Sequence, residues 1–207
     1  LLQCRDLGSA GRDLLDRQRS EEAQRIIDRY TWISAGVVAA TPLPGVDLLG
    51  TAAVNAQMVM EMGAVYGIQL TRNRAQELAV SVGRTLAGLG VVKGGVALIG
   101  TALSVNLPTL LLGRAVQGIA AGWLTRIAGA SFMTYFQQDQ DWGDGGVQDV
   151  VQHHYELNQR DRSLQDFLQA ALRRVVEPLQ QEAKKRLPPR PGPRAEADAS
   201  DRGYRAP

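Results

Sequence analysis

Twenty consecutive residues, from Gly94 to Gly113, carry no charge, and this run limits what the chain can fold into more than any other stretch. At that length it meets the threshold of roughly 18 residues for a helix that crosses a bilayer. Its composition argues against a simple span. Gly94, Gly95, Gly100, Ser104 and Asn106 dilute the hydrophobicity, and Pro108 lacks the amide a continuing helix would use. The run therefore divides into two shorter apolar helices, predicted over about 91–106 and 108–136.

A second depleted run lies upstream, where Asp47 is the only charge between Thr31 and Met60. Thr41-Pro42-Leu43-Pro44-Gly45 divides it, because two prolines remove amide donors and push the residues before them out of helical geometry. Before the break a helix is expected over about 21–40, with Ser20 as N-cap and Glu21 and Glu22 at its positive end. After it a helix opens near Asp47 and runs to Gly67, which suits a helix end. A third helix, over about 72–88, is capped by Thr71. An unpaired carboxylate among apolar residues is costly, so Asp47 needs donors. It is either an N-cap accepting amides of a helix that starts at Leu48 or a functional acid in an apolar pocket.

After Phe136 comes an acidic, glycine-rich loop, then two amphipathic helices over 147–157 and 163–187. Leu164, Phe167, Leu168, Ala171, Leu172, Val175 and Val176 form one stripe of the second, and Pro178 is expected to kink or end it. The organisation expected is a charged linker helix region over 1–30, an apolar helical core domain over 31–138, a polar helical extension over 139–187 and a disordered tail over 188–207. The fold class is all-α: apolar helical hairpins flanked by amphipathic helices. With 22 glycines and only 5% aromatic residues, those hairpins must pack through small side chains. The pairs Gly63/Gly67, Gly90/Gly94 and Gly118/Gly122 have the spacing for it.

Several function classes drop out. Lys and Arg number 23 against 21 acids, too even a balance for a nucleic-acid binder. Cys4 is the only cysteine, which excludes an intrachain disulfide and thiolate zinc sites and makes a reducing compartment the simpler reading. Residues 1–30 carry six Arg and six acids, unlike a signal peptide, and the chain reads as a piece of a longer polypeptide. No glycine-framed Lys-Ser/Thr phosphate loop is present, and Gly88-Leu89-Gly90 has Lys93 where a dinucleotide fingerprint needs its third glycine. His153 and His154 are adjacent, so on a helix they point apart and cannot share a metal. Asp139, Asp141 and Asp144 lack the glycine and glutamate of a calcium loop. No catalytic residue, cofactor site or metal site is expected in this chain.

The segment Pro42-Leu43-Pro44-Gly45-Val46-Asp47-Leu48-Leu49, followed by Met58 to Tyr66-Gly67-Ile68, resembles the signature of the YcjF-type domain-of-unknown-function family. In that family a proline-rich turn and an aspartate open a helix that ends in a Tyr-Gly pair. Gly118-Ile119-Ala120-Ala121-Gly122 through Thr134-Tyr135-Phe136 is similar to its small-residue closing helix. The resemblance spans about residues 20–138 and makes Pro42, Pro44, Gly45, Asp47, Tyr66 and Gly67 the motif residues. It implies a helical domain that follows an Era-like G domain, with several members described as membrane proteins. Residues 1–29 then correspond to the linker helix leaving a G domain that this chain lacks, and the long extension after Asp139 departs from the family pattern.

The function expected is membrane association coupled to that G domain, on the cytoplasmic face; the alternative is a soluble helical interaction module without lipid contact. The partners expected are the G domain in cis, a membrane and a second copy in a homo-oligomer, with nucleic acid excluded. Residues 30–41 make about 18 Å of helix, short of a roughly 30 Å hydrocarbon core. Such helices suit re-entrant hairpins in one leaflet, with Trp32 and Trp123 as candidates for the interface, where indoles are favoured. Without a phosphate cradle, calorimetric titration with GTP and magnesium is expected to find no micromolar site. If Asp47 is a cap, Asp47→Asn is tolerated and Asp47→Ala lowers stability by about 1 kcal/mol in thermal melts. Equal loss of function in both, with stability intact, marks a functional acid instead.

Overall fold

A computed structural model describes residues 2–40, 46–103, 109–159, 161–178 and 180–181. Pro42, Pro44 and Gly45 and the tail expected over 188–207 lie outside the described residues. The chain runs α1 (Leu2–Ala40), α2 (Val46–Val65), α3 (Arg72–Gly88), α4 (Val91–Leu103), α5 (Thr109–Gln137), α6 (Gly146–Gln159) and α7 (Asp161–Ala171), the last continuing into a π-helical turn (Leu172–Val176). No strand occurs among the described residues, and the fold is all-α.

The bundle is organised by α1 against α5. Gly118, Gly122 and Gly129 are spaced to share one face of α5, and that face has no room for side chains. A Cβ on Gly118 would lie 2.6 Å from the Ala35 carbonyl oxygen and 2.7 Å from the Ala39 Cβ. One on Gly122 would lie 2.8 Å from the Thr31 carbonyl oxygen, and one on Gly129 2.7 Å from Ile27. The contacts run in opposite order along the two helices, so they are antiparallel. Inside this seam the Thr125 hydroxyl donates to the Ser34 hydroxyl at 2.9 Å, with both residues 1% exposed, so two buried polar groups satisfy one another. Of the three glycine pairs noted in the sequence, only Gly118/Gly122 joins helices along their length. Gly67 and Gly90 have φ of +79° and +72° and serve turns instead.

The other helices are arranged around this pair. Glu61, near the end of α2, accepts from the Tyr30 hydroxyl at 2.6 Å and pairs with Arg29, so α2 runs back along α1. It ends where expected: Gly67 donates to the Ala64 carbonyl and Ile68 to the Gly63 carbonyl, the paired bonds of a glycine-terminated helix. Thr71 accepts from the Arg74 amide at 3.3 Å and caps α3, whose bounds match the sequence expectation. A Cβ on Gly95 of α4 would meet the Trp123 ring at 2.6 Å, and Gly100 lies toward Val116, so α4 is antiparallel to α5.

Three expectations need correction. The first helix starts near residue 2 rather than 21, and Ser20 lies inside it, its hydroxyl donating to the Asp16 carbonyl at 2.8 Å rather than capping. Exposed residues 10–19 follow from this, because α1 leaves the bundle over that stretch, with Leu14 70% and Leu15 53% exposed. Asp47 lies within α2, which opens at Val46, so the cap is not simply the residue before Leu48; its side chain is outside those described. The helix expected over 163–187 is helical at every described residue from 163 to 181, distorted before Pro178 as expected, but it is not regular: Leu172–Val176 form a π turn, with the Glu177 amide bonded to the Leu172 carbonyl. Pro178 gives the reason: it has no amide for the Arg174 carbonyl, and its ring crowds that oxygen, so the turn before it widens.

Gly122→Val is expected to lower stability by about 3 kcal/mol, since its branched side chain must displace the backbone of α1. Gly36→Ala, in α1 with open space at the Cβ position, is expected to raise it by up to about 1 kcal/mol. Denaturant unfolding of both variants checks the seam.

Candidate functional site

Antiparallel packing brings the end of α1, the start of α2, the end of α4 and the start of α5 to one end of the bundle. Arg114 of α5 fastens it, donating at 3.0 Å to the Ala40 carbonyl at the last residue of α1. The heights of the charged residues follow from the same contacts. Gly129 meets Ile27 and Gly122 meets Thr31, which puts Arg126 level with Arg29 and its partner Glu61. Gly95 against Trp123 puts Lys93 close to the same level. Beyond this belt, toward the shared end, α1 has no charge after Arg29 and α4 none after Lys93 among the described residues; Asp47 at the start of α2 and Arg114 on α5 are the exceptions. Ten residues of helix make this charge-poor layer about 15 Å deep.

Exposed aliphatic side chains gather in that layer. Ile33 and Val37 on α1 are 40% and 38% exposed, and Val96 and Leu98 on α4 38% and 36%. α5 packs against both helices, so the two groups lie on different flanks of one end rather than in a single patch. Over residues 94–102 the uncharged run is covered on one face only: Gly95 and Ile99 are buried, while Val96 and Leu98 face outward. No single described helix is long and apolar enough to cross a membrane; α3 and α4 reach the length only as a pair bent by 68°.

The two tryptophans read as interface candidates part company. Trp123 is 1% exposed, held between Gly95 and the Tyr155 ring, whose centroid is 5.6 Å away. It is a core residue, which corrects its reading as a surface anchor; the glycine opposite it was the signal. Trp32 stays half-buried at the edge of the belt, stacked on Phe167 at 5.5 Å with the Arg174 guanidinium 4.9 Å from its centroid.

The motif residues Tyr66 and Gly67 lie at the opposite end of the bundle, so the structure does not bring them together with Asp47. A cleft of about 530 Å³ opens there between α1 and the ends of α2 and α5, with Asp16, Arg19, Tyr66, Phe136 and Asp139 among its walls. Tyr66 stacks on Phe136 at 5.9 Å, and burial raises the pKa of its phenol above the ordinary value against the opposing pull of Ser20 and Gln137. Asp139 and Gln140 close α5 in left-handed conformations, φ 53° and 66°, which cost roughly 1–2 kcal/mol each outside glycine. Asp139 is a residue type that tolerates this region, whereas nothing in the sequence marked Gln140.

Ionisable groups inside the fold serve packing. Burial first, then the bond to Glu61, pushes the Tyr30 phenol up to about 12, so it stays a donor that joins α1 to α2. His154 bonds Thr134 at 2.8 Å and ties α6 to α5; burial, with His153 adding repulsion, lowers its pKa to about 4, so the ring is neutral there. Among the described residues no group of three His, Cys, Asp or Glu side chains is placed to hold a metal.

Comparison with known proteins adds a family. A family model described as "Domain of unknown function (DUF697)" matches residues 2–160. A UPF0283 membrane protein of Vibrio vulnificus is 32% identical over 121 residues, 56% of this chain and 34% of that protein. One of Shewanella oneidensis is 31% identical over 121 residues, 58% of this chain and 30% of its own length. One of Vibrio campbellii is 29% identical over 116 residues, with 56% and 34% covered. The chain thus spans about a third of the length of the curated relatives it matches. No solved structure matches it.

His154 sets a pH dependence. Its pKa is about 4 in the fold against 6.5 for the free side chain, so between those values the unfolded chain binds more protons and stability rises with pH. The contribution is complete above about 6.5 and is lost as pH falls toward about 4. Thermal melts across this window are expected to show a steeper acid loss for the wild type than for His154→Asn, which keeps a polar group toward Thr134 without titrating.

Proposed function

The chain belongs to the DUF697 family, and from that premise we propose that it is a helical membrane-docking domain whose charge-poor end enters one leaflet, coupled through α1 to a G domain outside this chain. The observation that carries the reading is the coincidence of two patterns. The end whose only charges are Asp47 and Arg114 also carries exposed aliphatic residues on both α1 and α4, and the printed names of the relatives describe membrane proteins. A depth of about 15 Å is half a hydrocarbon core, enough to seat this end in one leaflet without a crossing helix.

Magnitudes point to reversible docking. Four aliphatic side chains that are each about two-fifths open would contribute roughly 3 kcal/mol on leaving water, at about 2 kcal/mol for a whole side chain. Arg114, carried toward the acyl chains, costs about 2.5–3.5 kcal/mol on insertion scales, softened by its bond to the Ala40 carbonyl. Asp47 at the same end adds a cost of the same size, so residence on the bilayer is weak and responds to small biases. The nucleotide state of the G domain is the bias proposed, acting through the part of α1 that extends past the bundle, with both domains on the cytoplasmic face.

Flotation with phosphatidylcholine vesicles tests the reading. The wild type is expected to float in part, Val96→Asp/Leu98→Asp to stay at the bottom, and Arg114→Leu to bind about tenfold more tightly or better. Wild-type protein that remains monomeric without detergent and stays at the bottom, with and without anionic lipid, supports the soluble interaction module instead.

A further inference from the structure

Trp32 is where the C-terminal extension grips the core. Its indole lies between the Phe167 ring and the Arg174 guanidinium. Phe167, Ala171, Val175 and Val176 are buried, so α7 and the π turn offer one apolar face to the bundle. That face and the Arg174 contact carry the attachment: among the described side chains no hydrogen bond or ion pair joins α7 or the π turn to another helix. The family match ends at residue 160, and α7 begins at Asp161. Trp32 itself stands one turn past Arg29, at the border between the charged belt and the charge-poor end. An indole at that border is at the level of lipid headgroups when the end is seated.

We propose that α7 and its π turn form a detachable cover over a lipid-contact residue, and that the bilayer surface competes with Phe167 and Arg174 for Trp32. The inference rests on the membrane reading above. In the closed arrangement the extension buries its apolar stripe on α1 and α5. In the open one Trp32 faces lipid, and α7 is an amphipathic helix of the kind that settles in the interface plane. Apolar surface stays out of water in both, so the two arrangements differ little in free energy and lipid shifts the balance by its preference for one. The π turn suits the closed state, because it aims Arg174 across the indole.

The test uses the full chain, with Phe167→Ser to weaken the grip and Arg174→Ala as a milder, surface-only variant. In solution, hydrogen exchange is expected to show residues 161–178 opening as a unit, at least tenfold faster than α5. Phe167→Ser is expected to raise acrylamide quenching of Trp32 and to increase flotation with phosphatidylcholine vesicles at least threefold, Arg174→Ala less, and Trp32→Phe is expected to abolish the gain. Exchange of 161–178 as slow as that of α5 overturns the cover. So does a wild type that floats while both variants, folded and with Trp32 open to quencher, gain nothing. If no variant floats, the membrane reading falls, and lipid as the competitor falls with it.

Discussion

Everything in this bundle depends on how closely α1 and α5 approach. Their axes meet where Gly118, Gly122 and Gly129 have no side chains, and the opposing surface is the backbone and small side chains of Thr31, Ala35 and Ala39. That contact sets the antiparallel order, the order sets the heights, and the heights gather the charge-poor parts of four helices at one end. A larger residue in the seam would push α1 away from α5, and with it α2, which is held to α1 through Tyr30, Arg29 and Glu61. Packing through small residues suits a chain poor in aromatics, because dispersion contacts between close backbones replace those that large side chains would supply.

Much of this was legible in the residues. Gly67 and Thr71 are local signals, and they set the turn between α2 and α3. The bounds of α3 follow directly from Thr71 and the turn after Gly88. The start of α1 was less accessible. Ser20 with Glu21 and Glu22 has the chemistry of a helix start, yet a serine hydroxyl is equally satisfied by the carbonyl four residues back. Nothing in residues 2–20 forbids a helix, so it continues. The choice between these outcomes lies in the helix as a whole, beyond the reach of a single capping pattern.

The candidate surface was legible by charge and not by side-chain direction. The uncharged runs and their shortness were plain, and so was the chemistry of Trp32. Trp123 was misplaced because an indole in an apolar helix reads the same whether it faces lipid or a neighbour; Gly95, far away in sequence, decides between them. The motif residues mark the two ends of α2, Asp47 at its start and Tyr66 at its finish, so they describe one helix rather than one site. The cleft beside Tyr66 depends on where the end of α5 turns, and that turn uses Asp139 and Gln140 in left-handed conformations, the second of which its residue type does not advertise.

The 39 residues of α1 form one unbroken helix, about 58 Å long if straight. Its second half is clamped along the glycine seam, Ser20, Arg19 and Asp16 still face the ends of α2 and α5, and residues 2–15, about 21 Å of helix, run on beyond them. A rod held at one end is a lever. Tilting it by about 10° at the clamp would sweep the free end through about 4 Å, most of the rise of one helical turn. Leu14 and Leu15 ride at the root of that arm, where whatever grips them would bear directly on the clamped half. Small rearrangements inside the bundle are thereby magnified at a distance, and a firm hold on the far end would in turn resist them.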